Sequence, residues 1–106
     1  MTRIVAVGGT GLIGAKVVTR LRRDGHDVVT ASRSTGVDTV TGAGLAEALA
    51  EAEVVVDTTR PPSSATDAEV HAFFTASTRR MLEAERDAGV RHHVARVRPA
   101  RTRLPR

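Results

Sequence analysis

The stretch RIVAVGGTGLIG, residues 3–14, decides the fold that this sequence predicts. Its apolar run stops at Gly8, which is typical of a short buried strand that enters a tight turn. Beyond the glycines, Ile13, Val17 and Leu21 recur every four residues, with basic side chains between or after them. That period predicts a helix with one buried stripe. The chain therefore opens with a strand, a glycine loop and a helix.

The same two patterns alternate along the rest of the chain. Apolar, mostly β-branched runs predict strands at residues 27–31, 37–40, 54–56 and 90–97, and helices are predicted at residues 42–52 and 67–88. One face of the longer helix is expected to be buried, and it consists of Val70, Phe73, Phe74, Ser77, Met81 and Ala84. This alternation predicts an α/β fold, a Rossmann-type doubly wound parallel sheet of about five strands that is incomplete at its C-terminus. By analogy with other doubly wound sheets, we place the strands in the order 3-2-1-4-5.

Composition excludes several classes of protein. The chain has 106 residues, of which 41 % are apolar and 2 % aromatic, and none is a cysteine. A disulfide framework, a thiolate nucleophile and a cysteine-ligated metal are therefore excluded. The sequence has neither a signal-peptide pattern nor an apolar run long enough to span a bilayer, so we expect a cytoplasmic protein without membrane contact.

The glycine loop predicts a binding site for a dinucleotide. It fits both G-x-x-G-x-x-G, at Gly8, Gly11 and Gly14, and G-x-G-x-x-G, which begins at Gly9. The first glycine permits a tight turn, Gly11 lets a diphosphate approach the backbone, and Gly14 lets the helix lie close to the sheet. Backbone N–H groups at the helix start then face the phosphates, and Thr10 adds a hydroxyl donor.

The end of the second predicted strand indicates which dinucleotide binds. NAD-specific sites usually carry an acidic residue there, which accepts a hydrogen bond from the ribose 2′-hydroxyl. This chain has Ser32, Arg33 and Ser34 instead. A guanidinium can pair with a 2′-phosphate, and the serines can donate to it. We therefore predict that NADP(H) is preferred over NAD(H).

Other polar residues are expected near the same cleft. Thr58, Thr59 and Arg60 follow the strand at residues 54–56, at the switch point of the sheet where the middle of the cofactor would pass. Arg60 either meets an anionic group there or is an ordinary solvated side chain. Asp38 either lies beside the adenine or serves only to form a turn.

Several of these segments together resemble the short-chain dehydrogenase/reductase superfamily, and within it the atypical NmrA-like NAD(P)H-binding proteins. They are GGTGLIG at 8–14, ASR at 31–33, VVVD at 54–57 and AGVRHHV at 88–94. The resemblance implies a Rossmann fold, and either a hydride-transferring oxidoreductase or a redox-sensing regulator. It also implies a homodimer through the helix at residues 67–88, and NADP(H) contacts at Gly8, Thr10, Gly11, Leu12, Ile13, Gly14 and Arg33.

The sequence departs from that family at the positions that perform catalysis. Active members have a serine near the end of strand five and then Tyr-x-x-x-Lys. Here Val97 occupies the place of the serine, the chain has no tyrosine, and its one lysine is Lys16 in the first helix. We therefore assign no catalytic residue, and whether the protein is an enzyme or a non-catalytic sensor stays open.

Charge divides the chain into two parts. Residues 1–90 hold ten basic and twelve acidic side chains, whereas residues 91–106 hold six arginines and no acid. We expect residues 1–95 to form the N-terminal part of an NAD(P)-binding Rossmann domain and residues 96–106 to form an irregular tail rich in arginine and proline. A truncated or frame-shifted gene explains the tail better than an arm that binds nucleic acid, since no DNA-binding motif precedes it and no aromatic residue lies within it.

A metal site is not expected. His92 and His93 are adjacent in a predicted strand and would point to opposite faces of the sheet, so they are poorly placed to ligate one ion.

Overall fold

The computed structural model describes residues 2–61 and 64–95, and their elements alternate as the sequence predicts. In chain order they are β1 (Arg3–Val7), α1 (Leu12–Arg23), β2 (Asp27–Ala31), α2 (Leu45–Leu49), β3 (Val54–Asp57), α3 (Asp67–Ala88) and β4 (His92–Ala95). A short 3₁₀ turn covers Arg33–Thr35. Within these ranges, no helix combines the length and the apolar character needed to cross a membrane. The predictions for Val97 and for the tail at residues 96–106 lie outside the described residues.

The four strands form one parallel sheet in the order β2-β1-β3-β4. β1 lies at the centre, where Val5 is in register with Val29 of β2 and with Val55 of β3. Its residues Ile4 to Val7 are all buried. A strand buried on both faces is expected to be apolar throughout, which explains the composition of β1.

Helices cover both faces of the sheet, as predicted for a doubly wound fold. On one face, Leu45, Leu49 and Met81 from α2 and α3 pack against Val5 and Val55. On the other, Val18 of α1 packs against alternate strand residues, which are Ile4, Ala6 and Val28. Because neighbouring strand residues point to opposite faces, the same strand serves both cores.

The predicted third strand, residues 37–40, does not form. The backbone N–H of Val37 donates to the Ser32 carbonyl (2.8 Å), and that of Asp38 donates to Ala43 (2.9 Å). The Val40 N–H donates to Asp38 Oδ1 (2.9 Å). These backbone groups are satisfied within the loop and so do not extend the sheet beyond β2. The predicted order 3-2-1-4-5 is therefore correct for the other four strands only.

The long helix has the predicted bounds, but its predicted buried face is only partly buried. α3 spans Asp67–Ala88 and ends at Gly89, which is left-handed (φ 77°) as a C-terminal glycine often is. Ser77 and Met81 are buried as expected, but Phe74 is 40 % exposed. Since successive helical residues differ by about 100° around the axis, Phe73 and Phe74 cannot both face the sheet.

Candidate functional site

A cleft of about 570 Å³ opens where β1, β2 and β3 end at their carboxyl edge. Such a position, at the switch point of a doubly wound sheet, is where ligands bind in this class of fold. Eleven of the twelve site residues expected from the sequence line the cleft, and they are Gly8, Thr10, Gly11, Leu12, Ile13, Gly14, Ser32, Arg33, Ser34, Thr59 and Arg60. The twelfth, Gly9, is buried beneath the loop and donates to the Ala6 carbonyl (3.2 Å).

The first turn of α1 faces this cleft with unpaired N–H groups. Gly11 is the N-cap residue and makes no side-chain cap hydrogen bond, and the first turn has no acidic residue. The N–H groups of Leu12, Ile13 and Gly14 have no acceptor among the described residues, whereas Ala15 donates to the Gly11 carbonyl (2.8 Å). Unpaired N–H groups and the positive end of the helix dipole together favour an anion at this point.

Three of the four loop glycines are required by the protein itself. A Cβ on Gly14 would collide with the Gly8 carbonyl oxygen and would lie 2.8 Å from the Gly9 Cα. Gly8 has a φ of 81° and a Cβ there would lie 3.0 Å from the Thr59 nitrogen, and a Cβ on Gly9 would lie 2.9 Å from the Ala6 oxygen. Side chains at these positions would therefore strain or displace the backbone.

Gly11 differs from the other three glycines. Its φ is −73°, which any residue can adopt, and a Cβ there would meet only the Gly8 oxygen, at 3.5 Å. That distance is an ordinary van der Waals contact. Packing within the described protein therefore does not explain why residue 11 has no side chain.

The end of β2 presents a basic side chain beside two serines. The turn is held by the Ser32 N–H, which donates to Thr35 Oγ1 (2.8 Å), and the Ser32 and Ser34 hydroxyls share a hydrogen bond of 2.8 Å. Arg33 is exposed, lines the cleft and forms no ion pair with any described carboxylate. Asp38 also lines the cleft, with Oδ1 accepting from the Val40 N–H. The turn role proposed for Asp38 is thus present.

Thr58, Thr59 and Arg60 follow β3 and differ in their exposure and hydrogen bonds. The Thr58 hydroxyl is buried and donates to the Val7 carbonyl (2.8 Å). The Thr59 hydroxyl donates to Asp57 Oδ1 (2.6 Å), which also accepts from the Thr59 N–H (2.9 Å). Arg60 is exposed at the mouth of the cleft and has no ionic partner in the described part of the chain.

Sequence reasoning missed Phe73 as a cleft residue. Its side chain is partly exposed, lines the cleft and makes an edge-to-face contact with Phe74, with ring centroids 5.3 Å apart. The helical spacing placed Phe73 in the core stripe. It lies one turn before the buried Ser77, where α3 borders the cleft.

A buried hydrogen-bonded pair outside the cleft was also missed. Glu85 is 5 % exposed, and its two carboxylate oxygens lie 2.7 and 2.9 Å from Nδ1 of His93 on β4. Burial raises the pKa of the Glu85 carboxyl above its ordinary value, and the hydrogen bond from His93 partly offsets the increase. The sequence signalled only the burial of Glu85, because Ser77, Met81 and Glu85 recur every four residues. Among the described side chains, no group of three or more metal-ligating residues gathers.

This fold and cleft define a class: a Rossmann domain of the short-chain dehydrogenase/reductase type, as the resemblance implied. Within that class, a sequence profile described as "NAD dependent epimerase/dehydratase family" matches residues 4–97. The chain belongs to this family. The finer resemblance to NmrA-like proteins remains a prediction. A search of curated proteins found no match.

Several solved structures share this fold. UDP-N-acetylglucosamine 4-epimerase from Bacillus cereus shares 23 % sequence identity with this chain at a TM-score of 0.76. The alignment covers 90 % of this chain and 38 % of the epimerase. A short-chain dehydrogenase/reductase superfamily protein from Agrobacterium tumefaciens, solved with bound NAD, shares 26 % identity (TM-score 0.69, 88 % and 31 % covered). UDP-glucose-4-epimerase from Stenotrophomonas maltophila, also with NAD, shares 21 % (TM-score 0.73, 90 % and 36 % covered). This chain spans about a third of the length of these relatives.

Proposed function

We propose that this chain binds a nicotinamide dinucleotide in the cleft and prefers NADP(H) to NAD(H). The observation that carries the proposal is the start of α1, where the N–H groups of Leu12, Ile13 and Gly14 are unpaired beside a glycine that packing does not require. A diphosphate is the group that such a helix start accepts, because it offers several oxygens and negative charge at once. The related Agrobacterium protein carries NAD.

The preference for NADP(H) rests on Arg33. Its guanidinium is exposed beside the cleft, is not neutralised by a described carboxylate, and lies next to two serine hydroxyls. A 2′-phosphate would accept charge-assisted hydrogen bonds there. None of Ser32, Arg33 and Ser34 is acidic, so this turn has no carboxylate to accept a hydrogen bond from a free ribose 2′-hydroxyl.

Dissociation constants for NADPH and NADH test this preference. We expect the protein to bind NADPH more tightly, and Arg33→Ala to weaken NADPH binding roughly tenfold to a hundredfold while leaving NADH binding nearly unchanged. Arg86→Ala, which removes an exposed arginine of α3 outside the cleft, is the control. Tighter binding of NADH, or an equal loss for both dinucleotides in Arg33→Ala, would contradict the NADP(H) assignment.

The diphosphate site is tested separately at Gly11. Gly11→Val should abolish detectable binding of both dinucleotides, because the new side chain would occupy the path of the phosphates. It should lower the free energy of unfolding by no more than about 2 kcal/mol, since the backbone angles suit any residue and a Cβ has room, although valine is a poorer N-cap residue than glycine. Ala43→Val, in an exposed loop outside the cleft, is the matched control. Unchanged affinity in Gly11→Val would exclude the cleft as the diphosphate site.

We further propose that the described residues of the cleft hold the cofactor and do not themselves supply the tyrosine and lysine of the family's acid–base step. Among these described residues no tyrosine or lysine lines the cleft, and Lys16 lies on α1 outside it. A role in sensing the dinucleotide is the second candidate, favoured by the same composition. Incubation with NADPH and carbonyl or quinone acceptors separates an enzyme from these two roles, since neither predicts oxidation of NADPH above the rate without protein.

A second copy of the chain is the partner that we propose for α3. Phe74 and Leu82 are 40 % and 50 % exposed and line a shallow groove along the outer face of the helix. Exposed apolar side chains on one helix face are typical of a helix-to-helix interface. Sedimentation of the protein and of Leu82→Glu tests this, because a dimer should dissociate when a charge enters the groove.

A further inference from the structure

Thr58 lies directly beneath the glycine loop, although sequence reasoning associated it only with the cofactor path. The residue is 7 % exposed and follows β3. Its backbone N–H donates to the Val7 carbonyl (2.9 Å), and its hydroxyl donates to the same oxygen (2.8 Å). The last carbonyl of β1 is thus held twice by one residue from the neighbouring strand.

The same hydroxyl oxygen also leaves no room for a side chain at Gly8 or Gly14. A Cβ on Gly8 would lie 3.1 Å from Thr58 Oγ1, and a Cβ on Gly14 would lie 2.8 Å from it. The oxygen therefore occupies space that two missing side chains leave open. It contacts the end of β1 and the first turn of α1 at once, and so it bears on their separation.

We propose that Thr58 is a positioning residue that fixes the glycine loop and thereby aims the first N–H groups of α1 into the cleft. Thr58 also lines the cleft, but its hydroxyl is buried and already donates to the Val7 carbonyl, so it acts through the backbone of Val7, Gly8 and Gly14. A preorganised set of donors binds an anion better than a mobile set, because less order is lost on binding. The expected effect on dinucleotide affinity rests on the dinucleotide site proposed above, whereas the expected effect on the order of the loop backbone is independent of it.

Thr58→Val and Thr58→Ser separate the hydroxyl from the shape of the side chain. Valine keeps the shape and removes the donor, whereas serine keeps the donor. The first readout is amide hydrogen exchange of the unliganded protein at Gly11 and Ala15, whose N–H groups close the loop by hydrogen bonds of 3.1 and 2.8 Å. Exchange is compared with that of the core strand residue Val55, so that a change confined to the loop is distinguished from global unfolding.

We expect Thr58→Val to accelerate exchange at the loop amides relative to Val55, and to weaken NADPH binding roughly threefold to tenfold. Thr58→Ser should restore both toward the values of the original protein. Thr41→Val, at an exposed loop position outside the cleft, is the matched control and should change neither. If Thr58→Val does not fold, Thr58→Ser and Thr58→Ala form a second pair that differs by one hydroxyl, with faster loop exchange expected in the alanine variant.

Two outcomes would overturn the proposal. One is loop exchange in Thr58→Val that equals that of the original protein, and the other is equal exchange in the serine and alanine variants. A failure of the proposed function gives a different pattern. In that case the original protein binds neither dinucleotide, yet the loop amides still respond to the loss of the Thr58 hydroxyl.

Discussion

The two longer helices of this chain begin in opposite ways. At the start of α3, Thr66 Oγ1 accepts from the Glu69 N–H (3.2 Å) and Glu69 Oε1 accepts from the Thr66 N–H (3.1 Å). Asp67 adds a second acid in the first turn, and the hydrogen bonds from Thr66 lower the pKa of the Glu69 carboxyl. α1 begins at Gly11 with no capping side chain and no acid.

The difference shows which helix start is stabilised by the chain itself. A capping box satisfies donors at the start of α3 and places negative charge near the positive end of its dipole. A threonine, Thr10, also precedes the N-cap residue Gly11 of α1, but no side chain caps that helix. An uncapped start costs the fold some stability, and it leaves the N–H groups of α1 available to an external anion.

The largest predicted effect follows from closing the space beneath the start of α1. Gly14→Ala places a methyl group against the Gly8 carbonyl and close to Thr58 Oγ1. We expect a loss of about 1–3 kcal/mol in the free energy of unfolding, because this well-packed contact must open. Thermal unfolding should show a drop of roughly 4–8 °C for each kcal/mol. Gly11→Ala is the control, and an equal drop in both variants would refute the distinction between the two glycines.

A smaller effect is predicted when α3 loses its cap. Thr66→Ala removes the hydroxyl that accepts from the Glu69 N–H and should lower the free energy of unfolding by about 1 kcal/mol. Affinity for NADPH should stay within experimental error, since Thr66 is outside the cleft. Urea unfolding and a binding isotherm measure the two quantities. Weaker NADPH binding by Thr66→Ala would show that the two helix starts are not independent.

The smallest effect concerns the other end of α3, where Glu85 pairs with His93. Because burial raises the pKa of Glu85, the native protein binds this proton more tightly than the unfolded chain does. Its contribution is therefore favourable at low pH and declines as pH rises through the ordinary glutamate pKa toward the raised native value. The difference in stability between the protein and Glu85→Gln should fall over that interval in urea unfolding. A flat or rising difference would contradict it.

Most of the fold could be predicted because its signals are local. The apolar run of β1, the period of α1 and the left-handed Gly89 after α3 each depend on a few neighbouring residues. The same holds for the glycine loop, whose spacing alone located the start of the cleft. The parallel direction of the strands then followed from the alternation of strands and helices with short connections, and their order from the analogy with other doubly wound sheets.

The errors concern competition between distant groups. Residues 37–40 have strand-like composition, but Asp38 engages the loop backbone and no outer strand forms. Phe74 has the right polarity for the core but the wrong angle around the axis of α3. The pair between Glu85 and His93 joins two elements, so neither residue alone predicts it. The preference for NADP(H) at Arg33 stays a prediction.

The double hydrogen bond at the end of β1 also bears on how the protein is made. Its acceptor is Val7 and its donors belong to Thr58, 51 residues further along the chain. During synthesis Val7 leaves the ribosomal exit tunnel long before Thr58. The loop that follows β1 therefore emerges without its hydrogen bonds from Thr58. The loop gains this contact only after β3 has been synthesised and has inserted beside β1. Nascent chains stopped before Thr58 therefore form the loop without its two hydrogen bonds to Val7.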